Sequence, residues 1–522
     1  TKKLFMYKHV VISGFGVIGT EVLDQLIKIN KKNQLKVSII EKKFSNFPGG
    51  IAYSKNNSMY GFFNNPLRLS SIDFQKWMKI QKNQKNLINI FKIRKELKLD
   101  KWLKNNIHQD KQKFKNINQI YLPRITYSIF LKEKFLKMIR TLKNKSFVKI
   151  DYYENELLKI KKIKNRYICY TKGKLTNKKF VEKNFTFIKS TKKQTKKNYL
   201  ESNKIVLGHG ILPPSNINLK HYYYNKNYIH DFYTSGGTNN LINKINKINN
   251  ENQTQKKIVI AFIGNKAGLL ETMQQFENLD QKLLNKVSIV SISSSSLTLQ
   301  KAQLSKKYKS YKFALLIPKN IKKIKKAKKI LTFIKSEFSN GKKNGYNKYD
   351  IWTLILQKKI IDKCFKRLNS KEKSIYNNEV FSQLRNITRY TYPETVDAKI
   401  RLEKNEVLKT IKDKVVELKN SKKKIIVKTS ESGFFRADLV VNVSGPVSLF
   451  KNNKEVAYLN SLKKICKNYN ERGFISDEFN QIEESLYAPG TLSSNFNPER
   501  KTIIGSIIEN CKLTAKHIQK FR

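Results

Sequence analysis

The chain has 522 residues, 39% hydrophobic and 11% aromatic, which is enough for two or three globular domains and excludes a disordered protein. Its 106 Lys and Arg residues against 39 Asp and Glu residues give a net charge of +67. The basic residues are spread along the whole chain, and the chain is rich in Lys, Asn and Ile, which AT-rich codons encode. We therefore expect weak attraction to polyanions and no specific nucleic-acid site. A polyanion-binding protein is the alternative.

The sequence also disfavours a membrane-spanning protein, a metal-binding protein and a disulfide oxidoreductase. No apolar run reaches the roughly 18 residues of a membrane helix, so no transmembrane segment is predicted. The four cysteines lie far apart and the six histidines have no ligand spacing, so neither a metal site nor a redox disulfide is indicated. A reducing cytoplasm is the expected location.

The first predicted elements are a strand, a glycine-rich turn and an amphipathic helix, in HVVISGFGVIGTEVLDQLIKI at residues 9–29. Gly14 would make the tight turn, Gly16 would let the backbone approach a pyrophosphate, and Gly19 would let the helix pack closely on the strand. The helix N-terminus offers free N–H groups to phosphates. The intervening residues of this predicted site are Phe15, Val17 and Ile18.

The next predicted strand, LKVSIIEKK, carries the acid that completes the pattern. Glu41 follows Gly19 by 22 residues. Its carboxylate can accept hydrogen bonds from a ribose, and its charge disfavours a 2′-phosphate. The strand–helix–strand context therefore predicts a dinucleotide site, and a glycine-rich turn without a ligand is the alternative.

The plan of this first unit is repeated later in the chain. Each unit has a strand–turn–helix start, a hairpin, and an apolar strand that ends near glycine. The hairpins are predicted in residues 148–172 and 413–430, and the closing strands in SNKIVLGHGILPP and ADLVVNVSGPVS. Residues 473–492 supply one more strand into a glycine turn, and a helix follows in 504–519.

The second strand–helix turn, IAFIGNKAGLLETM at residues 260–273, is an incomplete version of the first. Gly264 and Gly268 are present, but the third position is Lys266 and the sixth is Leu269. The following strand ends in serines 293 to 296, where Arg or Lys would be expected to hold a 2′-phosphate. Three alternatives remain: an NADPH site, a site for NADH or an altered ligand, and a lost nicotinamide site.

Several segments in order along the chain resemble the FAD-NAD(P)-binding family of flavoproteins with two dinucleotide-binding domains, relatives of flavin-dependent N-hydroxylating and Baeyer–Villiger monooxygenases. They are PGGIAYSKNNSMYGFFNNPLRLSSI, YLPRITYSIFLKEKF, IVLGHGILPP and DLVVNVSGP. With the glycine turns, the resemblance extends from about residue 8 to residue 518. It implies FAD in the first domain and NAD(P)H as a possible ligand of the second.

The resemblance also implies site residues. Gly14, Gly16, Gly19 and Glu41 match the FAD phosphate and ribose positions, and Gly264, Lys266 and Gly268 match the nicotinamide nucleotide turn. The remaining matches to cofactor-binding segments are Asn65, Ser70, Arg124, Gly208, Gly210 and Gly490. A surface salt bridge is the alternative for Arg124. His209 stands where threonine is usual, with a structural or a catalytic role open, and Thr491 replaces a ribityl-binding Asp.

The expected fold class is α/β, with two Rossmann-like dinucleotide-binding domains, one nested in the other, β-hairpin layers and a helical insertion. The predicted FAD-binding domain comprises residues 1–215 and 447–522. Residues 216–254 are predicted to be a linker, and 255–446 an NAD(P)-binding-like domain with a helical insertion at 301–390.

The resemblance implies a FAD-dependent oxidoreductase and, more specifically, an NAD(P)H-linked monooxygenase that acts on a small molecule. The chemistry belongs to the cofactor, so no catalytic side chain is assigned. The alternative is a flavin-binding protein with a degenerate nicotinamide site and a non-redox or oxidase role. Neither the substrate nor the oligomeric state follows from the sequence.

Overall fold

The computed structural model describes residues 8–30, 33–53, 61–93, 100–108, 110–191, 197–210, 212, 214, 226–234, 236–251, 257–265, 267–277, 279–294, 299–421, 423–445, 456–470, 473–493 and 504–520.

The described part of the chain up to Gly210 forms most of the first sheet, two smaller antiparallel sheets and several helices. Its strands are β1 (Lys8–Ser13), β2 (Leu35–Glu41), β3 (Ile107–His108), β4 (Lys113–Phe114), β5 (Val148–Glu154), β6 (Leu157–Ile163), β7 (Arg166–Thr171), β8 (Asn177–Val181), β9 (Thr186–Lys189), β10 (Tyr199–Ser202) and β11 (Lys204–Leu207). Its α-helices are α1 (Val17–Ile29), α2 (Gly50–Tyr53), α3 (Ile72–Lys79), α4 (Gln81–Ile93), α5 (Asp100–Asn106) and α6 (Ile125–Lys143).

The middle of the chain forms a second sheet and a group of helices. Its strands are β12 (Tyr228–Ile229), β13 (Ile258–Ile263), β14 (Val287–Ser293), β15 (Gln300–Lys301), β16 (Tyr390–Thr391), β17 (Leu408–Lys412), β18 (Val415–Ser421), β19 (Lys424–Thr429), β20 (Phe434–Ala437) and β21 (Leu439–Asn442). Its α-helices are α7 (Gly237–Glu251), α8 (Ala267–Glu277), α9 (Gln281–Leu284), α10 (Pro318–Lys322), α11 (Ala327–Lys343), α12 (Lys348–Gln357), α13 (Ile360–Lys366), α14 (Ser370–Ile375), α15 (Phe381–Ile387) and α16 (Pro393–Lys404).

The last described segments return to the first sheet. They are α17 (Ala457–Ile465), β22 (Tyr469–Asn470), β23 (Gly473–Phe474), β24 (Gln481–Glu483), β25 (Leu486–Tyr487) and α18 (Ile504–Lys520).

The first sheet has the strand order β24-β25-β11-β1-β2-β5-β8-β9, and β25, β11, β1, β2 and β5 run parallel. The β1 residues Val10, Val11 and Ile12 are completely buried, because helices or hairpins cover both faces of a parallel sheet. Helices α1 and α18 pack together on one face, and Cys511 and Ala515 of α18 share a core with Leu26 of α1.

The second sheet repeats this architecture in the order β12-β21-β13-β14-β17, with every pair parallel. Helix α8 packs on one face through Leu269 and Met273, and the antiparallel β18-β19-β20 layer covers the other. All elements of this unit lie in sequence between β11 and β25, so the second unit is inserted within the first. The predicted α/β fold class with nested Rossmann-like units is confirmed.

The helical insertion has a core of its own. Helices α10 to α15 surround buried side chains that include Ile334, Phe338, Ile355 and Phe365. In α11 the buried positions Ala327, Ile330, Leu331, Ile334 and Phe338 recur at helical spacing, which is why this lysine-rich segment folds as an amphipathic helix.

The prediction of a linker at residues 216–254 is wrong for the part of this range that the structure describes. Strand β12 pairs with β21, and α7 buries Leu241, Ile245 and Ile248 against the second sheet. The Asn-rich composition hid an apolar i, i+4, i+7 pattern that forms one helix face. Among the described helices, none has the length and apolar character needed to cross a bilayer.

Candidate functional site

The first glycine turn lies where β1, β2 and β11 end side by side. The Gly14 amide donates to the carbonyl of Ile40 (2.8 Å), and the Gly208 amide donates to the carbonyl of Ser13 (2.7 Å). Gly14 has a φ of +93°, and a Cβ there would lie 2.9 Å from the carbonyl carbon of Gly208. This position therefore requires glycine for both conformation and space.

Helix α1 starts directly after this turn, and no side chain caps it. Gly16 is the N-cap residue, and no side-chain hydrogen bond caps the helix there. The N–H groups of the first helical turn therefore remain available to an anion. The Phe15 and Ile18 side chains are buried, whereas Val17 is partly buried. The Phe15 and Ile18 side chains therefore point into the core, and a phosphate contact of their backbone stays a prediction.

Gly49 and Gly50, which were not among the predicted site residues, lie against this turn. A Cβ at Gly16 would lie 3.2 Å from the Cα of Gly50, whose φ is +61°. A Cβ at Gly19 would overlap the carbonyl oxygen of Gly14. The Gly49–Gly50 pair begins eight residues after Glu41, and this glycine doublet was the available sequence indication.

Glu41 reaches back to the glycine turn. Its carboxylate accepts hydrogen bonds from the amides of Phe15 (2.6 Å) and Lys43 (3.1 Å). Burial raises the pKa of Glu41, and the hydrogen bonds from Phe15 and Lys43 oppose that rise. The carboxylate is thus at the end of β2, beside the turn, where a ribose acid is expected.

The turn after β11 meets the turn after β25 on the other side of the site. A Cβ at Gly208 would overlap the carbonyl oxygen of Gly14, and one at Gly490 would overlap the Ile18 side chain. Gly210 has open space around it. The Thr491 hydroxyl donates to the carbonyl of Gly210 (2.5 Å), so Thr491 connects the two turns.

His209 has structural contacts at this place. Its Nε2 lies 3.4 Å from the Ser13 hydroxyl, and its ring stacks on Tyr458 with centroids 4.5 Å apart. Burial lowers the pKa of His209 to about 4. The ring is therefore neutral at pH 7, and these contacts favour the structural interpretation.

The other residues matched in the first unit lie away from the glycine turn or have partners of their own. The Ser70 hydroxyl donates to the carbonyl of Leu67, and Asn65 is partly buried just before that turn. Arg124 pairs with Glu271 of α8, and its Nε donates to the carbonyl of Phe62 (3.1 Å). The salt bridge that was the alternative for Arg124 is therefore present, but it is largely buried and not on the surface. Contact of Asn65, Ser70 or Arg124 with a cofactor stays a prediction.

The second turn repeats the hydrogen bonds of the first. The Gly264 amide donates to the carbonyl of Ile292 (2.7 Å), and the Val443 amide donates to that of Ile263 (3.0 Å). Gly264 has a φ of +116°, and a Cβ there would lie 2.9 Å from the Val443 carbonyl oxygen. Lys266 and serines 295 and 296 lie outside the described residues, whereas Ser293 ends β14 and Ser294 follows it.

The two turns differ by an exchange of small and large residues. In the first unit, Gly208 of the turn after β11 packs against the glycine loop, and the fifth residue of that loop is Ile18. In the second, Val443 takes the place of Gly208, and the fifth residue is Gly268, where a Cβ would lie 2.8 Å from the Cβ of Val443. The sixth residue is Leu269, which is completely buried.

The described residues contain no group of three His, Cys, Asp or Glu side chains that could hold a metal ion. None of the four cysteines forms a disulfide, and all four are buried. Burial raises the pKa of the Cys169 and Cys466 thiols to about 12, so neither is a reactive thiolate at pH 7.

The model of the FAD-NAD(P)-binding family matches residues 11–181. None of the curated proteins matches the sequence significantly. The match covers β1, the first glycine turn, Glu41 and Arg124, and it confirms the resemblance and the FAD-NAD(P)-binding type predicted from the sequence.

Three solved structures share the fold over almost the whole chain. The FAD-bound cadaverine monooxygenase of desferrioxamine biosynthesis from Erwinia amylovora is 10% identical, with a TM-score of 0.51 over 98% of this chain and 94% of that chain. The ornithine N-hydroxylase of Kutzneria sp. 744, with FAD, NADP+ and L-ornithine, is 11% identical, with a TM-score of 0.53 over 98% and 99%.

The L-lysine 6-monooxygenase of Pseudomonas syringae is 9% identical, with a TM-score of 0.51 over 98% of this chain and 99% of that chain. At these identities the likeness establishes the fold and not the activity. Residues 11–181 therefore match the FAD-NAD(P)-binding family model, and the chain as a whole has the fold of flavoproteins with two dinucleotide-binding domains.

Proposed function

We propose that this protein is a FAD-dependent oxidoreductase and, more specifically, an NAD(P)H-linked monooxygenase that acts on a small molecule. The observation that carries the proposal is the junction of β1, β2 and β11, where the glycine turn, the uncapped N-terminus of α1 and the Glu41 carboxylate face the same place. Ligands of doubly wound sheets bind at this carboxyl edge.

The residues present fit the phosphate and ribose part of FAD. The N–H groups at the start of α1 would bind the pyrophosphate, and the missing side chains at Gly14 and Gly16 would leave its approach open. Glu41 would exchange its hydrogen bond from the Phe15 amide for hydroxyl groups of the ribose. FAD bound here would supply two-electron transfer chemistry.

The proposed reaction transfers one oxygen atom of O₂ to the substrate and reduces the other to water. One substrate, one O₂, one NAD(P)H and one proton yield the substrate with one added oxygen atom, one water and NAD(P)+. The protein would bind and orient the reactants and exclude water, which needs no proton-transferring side chain that could be recognised as a motif.

The named activities of the three structural relatives support oxygenation of a small molecule. Those proteins are a cadaverine monooxygenase, an ornithine N-hydroxylase and a lysine monooxygenase. We assign the FAD domain to residues 1–215 and 447–522. We assign the nucleotide domain to residues 255–446 together with the preceding β12 and α7.

The deciding test is the absorption spectrum of the purified full-length protein. We expect a yellow protein with one FAD per chain. The variant Gly16→Val would place a branched side chain against Gly50 and across the pyrophosphate approach, and should lose the flavin. Gly445→Ala, at a glycine of the second unit where a Cβ meets nothing within 4 Å, is the control and should keep the flavin. A Gly16→Val protein that folds and retains full flavin occupancy would overturn the assignment.

A second candidate is a flavin-binding protein with a degenerate nicotinamide site and an oxidase or non-redox role. The exchange at Gly268 and Val443, together with Leu269 in the sixth position, favours it, because these residues depart from the first turn. Oxygen consumption separates the candidates. A monooxygenase consumes O₂ only with NAD(P)H, whereas an oxidase forms H₂O₂ from substrate and O₂ alone.

A further inference from the structure

The guanidinium group of Arg68 has no hydrogen-bond acceptor among the residues that the structure describes. It lies in the single turn Leu67–Leu69, between the first glycine turn and α3 in the sequence. All three guanidinium nitrogens are shielded from solvent, and none has a hydrogen-bond partner among the described residues. A guanidinium carries five N–H donors, and burying such a group without acceptors is strongly unfavourable.

The ring of Tyr308 offsets part of this cost. The guanidinium carbon lies 4.6 Å from the ring centroid, which is a favourable cation–π distance. The ring, however, contacts the face of the guanidinium and supplies no acceptor to the N–H groups at its edge. The donors of Arg68 therefore still lack acceptors.

Arg68 also lines a cavity of about 660 Å³ between the first unit and the helical insertion. Gln75 belongs to α3, Asn116 and Gln119 to the segment before α6, and Tyr308 and Lys309 to the insertion. No Asp or Glu is among the described residues that line it, whereas Lys79 and Lys309 add positive charge. This arrangement favours an anion and disfavours a ligand that carries ammonium groups.

We propose that this cavity binds a small polar molecule through an oxyanion group, a carboxylate or a phosphate, with Arg68 as its principal ligand. A rotation of the Arg68 side chain toward the cavity presents its paired N–H groups to two oxygens of the anion. The carboxamides of Gln75, Asn116 and Gln119 then serve the polar remainder of the molecule. The proposal goes beyond the oxidoreductase function and does not depend on it.

The test is the thermal unfolding midpoint of the full-length protein with succinate or inorganic phosphate, at constant ionic strength set with NaCl. Neutral succinamide is the ligand control. We expect a saturable rise of the midpoint with succinate, with phosphate, or with both, and the stronger of the two identifies the oxyanion. No saturable rise with either anion would overturn the proposal.

The variant Arg68→Gln should weaken the response about tenfold or more, because it removes charge-assisted hydrogen bonds. Without ligand it should be at least as stable as the natural protein, since it removes an unpaired buried charge. The matched control is Arg367→Gln, at an exposed arginine of the same insertion, and it should respond like the natural protein. An equal response of Arg68→Gln would show that the anions only screen the net charge.

A second variant keeps the test decisive if Arg68→Gln does not fold. Lys309 is exposed, so Lys309→Gln should fold normally and weaken binding of the same anion severalfold. Unchanged binding in Lys309→Gln would contradict this location of the site.

Discussion

The guanidinium of Arg124 and the carboxylate of Glu271 form an ion pair that joins the first unit to the second. Arg124 directly precedes α6, and Glu271 lies in α8, the helix that follows the second glycine turn. The two side chains are only 13% and 10% exposed. Because both are buried, this pair fixes α8 relative to the first unit more firmly than a surface pair would.

We predict that Glu271→Ala lowers the free energy of unfolding by about 3–5 kcal/mol, because it leaves the Arg124 charge buried and unpaired. The matched control is Glu379→Ala, which removes a pair with Lys328 whose side chains are 50% and 73% exposed. It should cost less than about 1 kcal/mol. Urea denaturation measures both values, and equal losses would contradict the structural importance of the buried pair.

The small-to-large exchange at the second turn predicts a coupled pair of substitutions. Gly268→Ala would place a Cβ 2.8 Å from the Cβ of Val443 and should cost about 1–3 kcal/mol of stability. Adding Val443→Gly removes the clash, so the double variant should be more stable than the sum of the single effects allows. Gly445→Ala, where a Cβ meets nothing within 4 Å, is the control and should be near neutral. Additive losses in the cycle would mean that the two residues do not compete for space.

Two partly buried histidines predict a loss of stability in mild acid. Burial lowers the pKa of both His9 and His209 to about 4. The unfolded chain binds these protons near pH 6.5, whereas the folded chain binds them only near pH 4, so the free energy of unfolding falls as the pH drops through this window. Each histidine accounts for up to about 3 kcal/mol.

The double variant His9→Gln and His209→Gln should flatten this part of the stability profile. His108→Gln, at an exposed histidine, should leave its slope unchanged. The measurement is the free energy of unfolding by urea at a series of pH values from 7 to 4. A slope that is identical in the double variant and the natural protein would show that carboxyl groups alone cause the acid sensitivity.

The second nucleotide turn should bind nicotinamide nucleotides weakly in the natural protein. We expect Lys266→Gly to speed flavin reduction by NADH and NADPH alike, because it opens the approach to the loop backbone. Ser294→Arg should favour NADPH by about tenfold, since a guanidinium grips a 2′-phosphate with charge-assisted hydrogen bonds. Anaerobic stopped-flow bleaching of the flavin measures both rates. Lys257→Gly, before β13, is the control for the lost charge.

Fast, NADPH-selective reduction by the natural protein would show instead that Lys266 binds the phosphates. No reduction by either nucleotide, even in the double variant, would favour the oxidase or non-redox alternative.

The parts of the site that sequence could predict are those set by short-range pattern. The turn at Gly14 to Gly19, the helix after it and Glu41 lie within one strand–helix–strand segment, so spacing alone identifies them. Strands β6 and β7, and β18 and β19, were predicted as hairpins for the same reason, because alternating apolar residues flank a short polar turn.

The parts that sequence missed depend on contacts between distant segments. The approach of Gly50 to Gly16, the pairing of Arg124 with Glu271 and the isolation of Arg68 each follow from the folded arrangement, and no local pattern encodes them. Helix α7 was missed for a different reason: its polar face is rich in Asn, which is typical of linkers, and this composition outweighed the spacing of Leu241, Ile245 and Ile248.

The nesting of the second unit between β11 and β25 also orders the events of synthesis. When β11 leaves the ribosome, the first sheet still lacks β25 and the first core lacks α18, which covers α1. The inserted unit, by contrast, is complete before those elements are translated. The nascent protein must therefore keep the apolar face of α1 from aggregating until α18 is translated, so the first core is completed only after the inserted unit.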